Sequence, residues 1–264
     1  MAAIQPMEQF LVHKAVPLPP VQIPGLPALD LSITNSVVFM MIAAGLIVIF
    51  FLTASRQKLV PGRLQAVAES FYDLVDGGLV GPMIGDNGRP FLPFIFTLFA
   101  FIAVMNILGL IPGSFTSTSQ LAVTATLAVV TFSLVLVVGF VRNGLGFFKL
   151  FVPSGVHWAM AIFLAPIEFI SFSVRPITLS LRLFGNMMAG HVMVYLFASF
   201  VIGLGLFAAH GGLAYLGFAG SAVSLTMVVA IMALELVVAF IQAFVFSALA
   251  CVYLNEVVNL GHGH

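Results

Sequence analysis

Composition predicts an all-α integral membrane protein with about five membrane-spanning helices and one interfacial amphipathic helix. Hydrophobic residues make up 61% of the 264 residues and charged residues make up 7%. The mean hydropathy is +1.19, whereas about 25% of the residues of an ordinary soluble domain are charged. Because one span needs about 20 apolar residues, we expect residues 1–264 to form a single membrane domain in contact with lipid, without a separate soluble domain.

Charge and cysteine content exclude several classes of function. The formal net charge is +0, so the chain has no basic patch for nucleic acid. Cys251 is the only cysteine, which excludes a disulfide framework. His262 and His264 are too sparse for a metal site, and we expect a solvated tail there. We therefore expect neither a metal nor a cofactor.

The first third of the chain contains an arm, a span and an amphipathic segment. Residues 1–35 are rich in proline, which does not fit a signal peptide and predicts an extended arm. Residues 37–54 form the first apolar span. In residues 62–82, apolar side chains recur at helical spacing and acidic side chains group on another face, which predicts an amphipathic helix at the membrane interface. The apolar positions are Leu64, Val67, Phe71 and Leu74, and the acidic ones are Glu69, Asp73 and Asp76.

The remainder of the chain predicts two helical hairpins. Residues 92–141 form two spans joined by the uncharged turn PGSFTSTSQ, which predicts a tight hairpin. Residues 155–259 contain two apolar tracts separated by AAHGG. At about 1.5 Å per residue, each tract is roughly twice as long as the hydrocarbon layer of about 30 Å is thick. Tilt, kinks at Pro166 and Pro176, or extension beyond the headgroups must absorb this excess.

Six basic residues lie in segments that this topology places on one side of the membrane. The positive-inside rule therefore predicts an N-terminal arm outside and a C-terminus inside. These residues are Arg56, Lys58, Arg63, Arg89, Arg142 and Lys149.

Arg182 lies inside the apolar tract ITLSLRLFGNMMAGHVMVYLF. Arginine keeps its proton in proteins, and placing it at a helix centre in a bilayer costs about 2.5 to 3.5 kcal/mol. Six polar side chains of this tract fall within an arc of about 80° if the helix continues through Pro176. They are Glu168, Ser171, Arg175, Thr178, Arg182 and Asn186.

The second long tract has a sparser polar stripe of Glu235, Gln242 and Tyr253. Two facing stripes predict a hydrated ion pathway, because an unsatisfied polar group in hydrocarbon costs several kcal/mol. A structural hypothesis stays open: Glu235 pairs with Arg182 or Arg175 and locks two helices together.

His191 is nine positions after Arg182 and so lies on the opposite side of an ideal helix. Two hypotheses stay open for it, a helix-packing hydrogen bond and a proton relay, for which imidazole is suited near neutral pH. His157 and His210 are expected at the membrane interface. Gly185 and Gly190 permit the close approach of another helix.

The stretch PITLSLRLFGNMMAGH, with the later run LELVVAFIQAFVFSALACVYL, resembles subunit a of the rotary F-type ATP synthase. The resemblance covers nearly the whole chain, since the NILGLIPGSFTSTS hairpin and the N-terminal arm are also similar to that family. It implies a proton-translocating membrane stator that is no enzyme on its own. Its implied partners are the c-ring and peripheral stalk subunit b. We expect subunit b to contact the amphipathic segment around Phe71 on the cytoplasmic side.

The resemblance implies that Arg182 matches the essential arginine of the family. Such a fixed cation favours the ionised form of the ring carboxyl group and prevents a proton from passing directly between two offset half-channels. Asn186 and Gln242 would orient this arginine through hydrogen bonds. The last two helices would form a strongly tilted hairpin against the c-ring.

The resemblance also implies two proton routes. Glu168, with Arg175 on the same stripe, would line the route to the cytoplasmic side, and His191 with Glu235 the route from the outer side. Several bacterial members have the acid and the histidine exchanged, and the order found here is similar to that of alphaproteobacterial and mitochondrial members. We expect the two residues to act as a pair, and we expect a bacterial inner membrane, with the mitochondrial inner membrane as the alternative.

A stand-alone ion-coupled secondary transporter is the alternative function. It would usually show broken helices in two repeated halves, and the sequence contains no such internal repeat. A haem- or quinone-binding respiratory subunit would need paired axial histidines in neighbouring spans. His157, His191 and His210 do not fall at matching depths. Whether the transported ion is a proton or sodium would depend largely on the carboxyl groups of the c-ring.

Overall fold

The computed structural model describes residues 11–17, 32–55, 62–111, 113–151, 158–209 and 216–260. Within these residues, five helical stretches are long and apolar enough to cross a membrane, which confirms the predicted all-α integral membrane class. The helices are α1 (Asn35–Ala54), α2 (Arg63–Val75), α3 (Gly81–Ile84), α4 (Leu92–Gly109), α5 (Leu121–Asn143), α6 (Trp158–Ala208) and α7 (Leu216–Val258). Two short strands, β1 (Lys14–Val16) and β2 (Ile33–Thr34), pair antiparallel in the arm.

Several predictions concern positions outside the described residues. Most of the extended arm, at residues 1–10 and 18–31, belongs to this group. So do Arg56 and Lys58 of the orientation argument and four of the histidines, His157, His210, His262 and His264.

Helix α6 is continuous over 51 residues and includes both Pro166 and Pro176. At about 1.5 Å per residue it extends over roughly 75 Å, and α7 adds a second continuous helix of 43 residues. The polar stripe therefore lies on one uninterrupted helix, as its spacing requires. The tilt of these two helices stays a prediction.

Helix α2 ends at Val75, the next residues, Asp76–Val80, form a π-helical turn, and α3 follows from Gly81. Helical backbone therefore continues through residues 63–82 with a change of hydrogen-bond pattern, and the interfacial position of this segment stays a prediction. Gly77 and Gly78 lie in this turn, and each glycine lowers helix stability by about 1 kcal/mol relative to alanine. Phe71 of α2 packs at 5.6 Å against the ring of Phe96 in α4, so one face of α2 is held by aromatic contacts.

Contacts divide the chain into two units, and α1, α4, α6 and α7 each contribute residues to both. Unit 1 contains Met1–Ala43, Val104–Gln120 and Phe184–Ile241. Unit 2 contains Ala44–Ala103, Leu121–Leu183 and Gln242–His264. The single membrane domain stays a prediction.

In unit 1, the end of α6 packs antiparallel against the start of α7. The Ser221 hydroxyl of α7 donates a hydrogen bond of 2.9 Å to the carbonyl of Val201 in α6. A Cβ at Gly217 would lie 2.6 Å from the carbonyl oxygen of Leu204, so only glycine permits this close approach. Asn106 of α4 is fully buried and donates to the carbonyl of Ala239 in α7 at 3.0 Å.

In unit 2, asparagine side chains connect distant segments. Asn143, the last residue of α5, donates to the carbonyl of Val257 in α7 at 2.7 Å. Gly144 follows with φ of +53°, a conformation that ends α5 and that glycine adopts without strain. Asn259, just after α7, donates to the carbonyl of Ile84 in α3 at 3.2 Å. These bonds fix the ends of α5 and α7 in this unit.

Candidate functional site

His191 and Glu235 line the same cavity in unit 1. His191 is on α6 and Glu235 on α7, and the cavity has a volume of about 290 Å³. Only 8% of His191 and 9% of Glu235 are exposed. Tyr195 and Ser114 add further polar groups to the lining, and the space is large enough for several water molecules. The structure thus brings together the imidazole and the carboxyl group that the resemblance assigns to one route.

His191 also takes part in a helix-packing hydrogen bond. Its Nε2 lies 3.0 Å from the hydroxyl oxygen of Thr116, a residue of the connection between α4 and α5. Thr116 in turn donates to the carbonyl of Gly109 at 3.3 Å. The packing and relay hypotheses for His191 are therefore compatible, because the ring has a fixed partner and also contacts the cavity.

Gly190 creates the space that the Glu235 carboxyl group occupies. A Cβ at position 190 would lie 1.9 Å from Oε1 of Glu235 and 2.8 Å from its carboxyl carbon. By contrast, a Cβ at Gly185 would meet no atom within 4 Å. The sequence indicated close approach at both glycines, and in unit 1 the group that approaches Gly190 is the side chain of Glu235.

Arg175 links α6 to α7 within unit 2. Its Nη1 donates to Oε2 of Glu256 on α7, and its Nη2 lies 3.8 Å from Oε1 of Glu168 on α6. The guanidinium carbon lies 5.1 Å from the centroid of the Phe172 ring and 4.9 Å from that of Tyr253. Such cation–π contacts help to hold the guanidinium group of Arg175 in place.

Glu256 was not among the site residues predicted from the sequence. It lies in the last turn of α7, and its contact with Arg175 depends on the antiparallel register of α6 and α7. A helical hairpin built from the predicted tracts would have placed the end of the second tract beside the start of the first. The structural hypothesis named Glu235 as the partner of Arg182 or Arg175, whereas in unit 2 the glutamate on α7 that pairs with Arg175 is Glu256.

Glu256→Gln is expected to destabilise the protein more than Glu168→Gln. Losing the charge-assisted bond to Arg175 costs about 1 to 3 kcal/mol, whereas the longer and more exposed pair with Glu168 contributes about 0 to 1 kcal/mol. The side chain of Arg175 is 16% exposed and that of Glu168 is 37% exposed. Thermal unfolding of the purified protein measures both variants, and equal midpoints for the two would contradict the assignment of Glu256 as the main partner of Arg175.

Arg182 lies on an exposed face of α6, together with Thr178 and Asn186. Among the residues that the structure describes, Arg182 takes part in no ion pair. Gln242 on α7 is buried. Within the same described ranges, no group of three or more histidine, cysteine or acidic side chains could hold a metal ion.

Comparison with known proteins identifies the family. The model of the family described as ATP synthase A chain matches residues 37–255. The chain belongs to this family. The protein named ATP synthase subunit a from Mesorhizobium japonicum is 45% identical over 260 residues, which cover 98% of each chain. Proteins of the same name from Allorhizobium ampelinum and Hyphomonas neptunium are also 45% identical, over 98% and 97% of both chains. These relatives are alphaproteobacterial, which confirms the resemblance found in the sequence.

Proposed function

We propose that this chain is the proton-translocating stator subunit of a rotary ATP synthase. The cavity that contains both His191 and Glu235 is the observation that supports this function best. Polar side chains in a membrane helix are costly unless they are paired or line an aqueous cavity, and these two groups lie on neighbouring helices around one cavity. The family to which the chain belongs is consistent with this role.

The cavity would form the half-channel that delivers protons from the outer side. Imidazole takes up and releases protons near neutral pH, and a carboxyl group can exchange a proton with it directly or through water. Because both side chains are held by packing, His191 by Thr116 and Glu235 against Gly190, the two groups stay within one pathway.

Arg182 would separate this half-channel from the second one. Its exposed face on α6 would contact the carboxyl groups of the rotating c-ring, with Asn186 and Gln242 orienting the guanidinium. Glu168, at the start of the polar stripe, would line the route to the cytoplasmic side. Arg175 and Glu256 would stabilise the helix pair beside that route.

The His191 and Glu235 pair can be tested with a double-mutant cycle. We expect His191→Ala and Glu235→Ala each to lower ATP-driven proton pumping strongly. The double variant should pump no more slowly than the slower of the two single variants. The physical reason is that removal of either member already interrupts the same route. Ser221→Ala, which removes a hydroxyl between α6 and α7 in the same unit, is the matched control. If the loss in the double variant equals the sum of the losses in the two single variants, the residues act independently.

The other partners follow from the same proposal. The amphipathic helix α2 has exposed acidic side chains, Glu69 and Asp73, and would contact peripheral stalk subunit b on the cytoplasmic side. A photo-crosslinker at exposed Tyr72 should then form a product with that subunit, and its absence in the assembled complex would remove α2 from the contact. The chain would lie in a bacterial inner membrane, with its N-terminus periplasmic and its C-terminus cytoplasmic.

A further inference from the structure

Asn106 is a fully buried polar residue inside the membrane-spanning helix α4. Its Nδ2 donates a hydrogen bond of 3.0 Å to the carbonyl of Ala239 on α7. This bond also fixes which atom of the amide is Oδ1, because a flipped amide would place two oxygens against each other. Among the residues that the structure describes, no donor lies within hydrogen-bond distance of Oδ1. Asn106 thus presents an amide oxygen that can still accept a hydrogen bond.

Two helices that line the cavity around Glu235 locate this amide. Gly109 and Leu110 of α4 line the cavity, and they follow Asn106 by three and four positions, on the same face of the helix. On α7, Glu235 lines the cavity and precedes Ala239 by four positions. Four residues correspond to about 6 Å along a helix. Both helices therefore place the Asn106 amide about one turn from the lining of the cavity.

An amide oxygen at this place is suited to a water molecule that carries a proton. A polar group without a partner is costly inside a membrane, and buried water commonly satisfies such groups. The oxygen accepts hydrogen bonds and has no proton of its own to give. A hydrogen bond from a positively charged donor is stronger than one from a neutral donor, so this oxygen stabilises a hydronium ion more than a water molecule.

We propose that Asn106 is a further residue of the proton route, and that its Oδ1 binds the water molecule to which protonated Glu235 passes its proton. The O–H bond of the carboxyl group breaks while a new O–H bond of the water forms, which leaves a carboxylate and a hydronium ion. The hydronium ion donates to Oδ1 and then releases its proton towards the carboxyl groups of the c-ring. The inference rests on the proposed route through Glu235 and extends that route by one helical turn.

A purely structural role of Asn106 makes a different prediction. Ala239 lies inside α7, so its carbonyl also accepts the intrahelical N–H four residues later. Leucine is similar in size to asparagine, and replacing a buried polar side chain by an apolar one of the same shape is close to neutral when no partner is left unsatisfied. Asn106→Leu should therefore assemble at the native level under both hypotheses. Only a role in proton transfer makes the assembled variant slow.

Proton-driven ATP synthesis by the assembled complex in vesicles is the first measurement. Asn106→Leu should lower its rate about 10- to 100-fold, the effect of losing one hydrogen bond to a charged group. Thr118→Val is the matched control, because Thr118 is fully buried in the same unit and its hydroxyl also has no hydrogen-bond partner among the described residues. Thr118 does not belong to the lining of the cavity, so Thr118→Val should synthesise ATP at the native rate.

Solid-state NMR of the native complex tests the bound water directly. The sequence Met105–Asn106 occurs once in this chain, so labelled methionine and asparagine identify the Asn106 signals through the peptide bond between the two residues. We expect magnetisation to pass from water protons to Cγ of Asn106, although 0% of this residue is exposed. A Cγ signal that receives no magnetisation from water would overturn the inference, as would native ATP synthesis by Asn106→Leu.

The inference and the proposed function fail in different ways. If Glu235→Ala synthesises ATP at the native rate, the route through Glu235 is wrong, and the role of Asn106 is wrong with it. If Glu235→Ala fails while Asn106→Leu is native, the route stands and only the role of Asn106 is wrong. If Asn106→Leu does not assemble, the spectrum of the native complex still decides whether Oδ1 binds water.

Discussion

Arg182→Ala is expected to abolish proton-driven ATP synthesis in vesicles that contain the assembled complex. Arg182 is exposed on α6, where a partner in the membrane would meet its charge. In the proposed mechanism, removing the charge would take away both the attraction for a ring carboxylate and the repulsion of a proton between the two half-channels. Passive proton leak, measured in the same vesicles, should rise if the barrier itself is lost.

Assembly is not expected to limit this experiment. A charged arginine at a helix centre costs about 2.5 to 3.5 kcal/mol on insertion scales, so alanine at position 182 should insert at least as well. Thr178→Ala is the comparison that removes a polar group of the same stripe without removing a charge, because Thr178 lies one turn earlier on the same exposed face and its hydroxyl donates to the carbonyl of Arg175. Near-native synthesis by Arg182→Ala at equal assembly would make Arg182 a structural charge and would refute the half-channel mechanism.

The helices could be predicted because their cause is local. An apolar tract such as that of α4 is too hydrophobic for water, and its length alone predicts a span. The end of α2 was harder to predict. The predicted segment extends through residue 82, and after Val75 its backbone changes to a π-helical turn that contains Gly77 and Gly78. Periodicity does not show where a helix changes its hydrogen-bond pattern.

The site could be predicted only from those of its residues that are unusual in their sequence context. A histidine and a glutamate in apolar tracts are conspicuous, and the family resemblance connected His191 with Glu235. Thr116 and Glu256 are ordinary in the sequence, since a threonine in a polar turn and a glutamate near a chain end are common. Their roles depend on which segments pack against each other, because the cavity and the Arg175 ion pair form only when the chain is folded.

Gly190→Ala is expected to lower proton pumping on the order of 100-fold, the loss that a displacement of about 1 Å at a reacting group can cause. The added methyl carbon would lie 1.9 Å from Oε1 of Glu235, so the carboxyl group must move. Glu235 has a flexible side chain, and its movement costs little folding energy. The expected defect is therefore functional, and ATP-driven proton pumping by the assembled complex measures it.

Gly205→Ala separates this steric effect from a general effect of alanine in α6. A Cβ at Gly205 would meet only the hydroxyl of Ser221 on α7, at an ordinary distance of 3.7 Å. Alanine stabilises a helix interior by about 1 kcal/mol relative to glycine, so neither variant should weaken α6. If Gly190→Ala and Gly205→Ala both pump normally, the position of the Glu235 carboxyl group does not matter for proton flow. If only Gly190→Ala fails, the carboxyl group must lie where glycine leaves room for it.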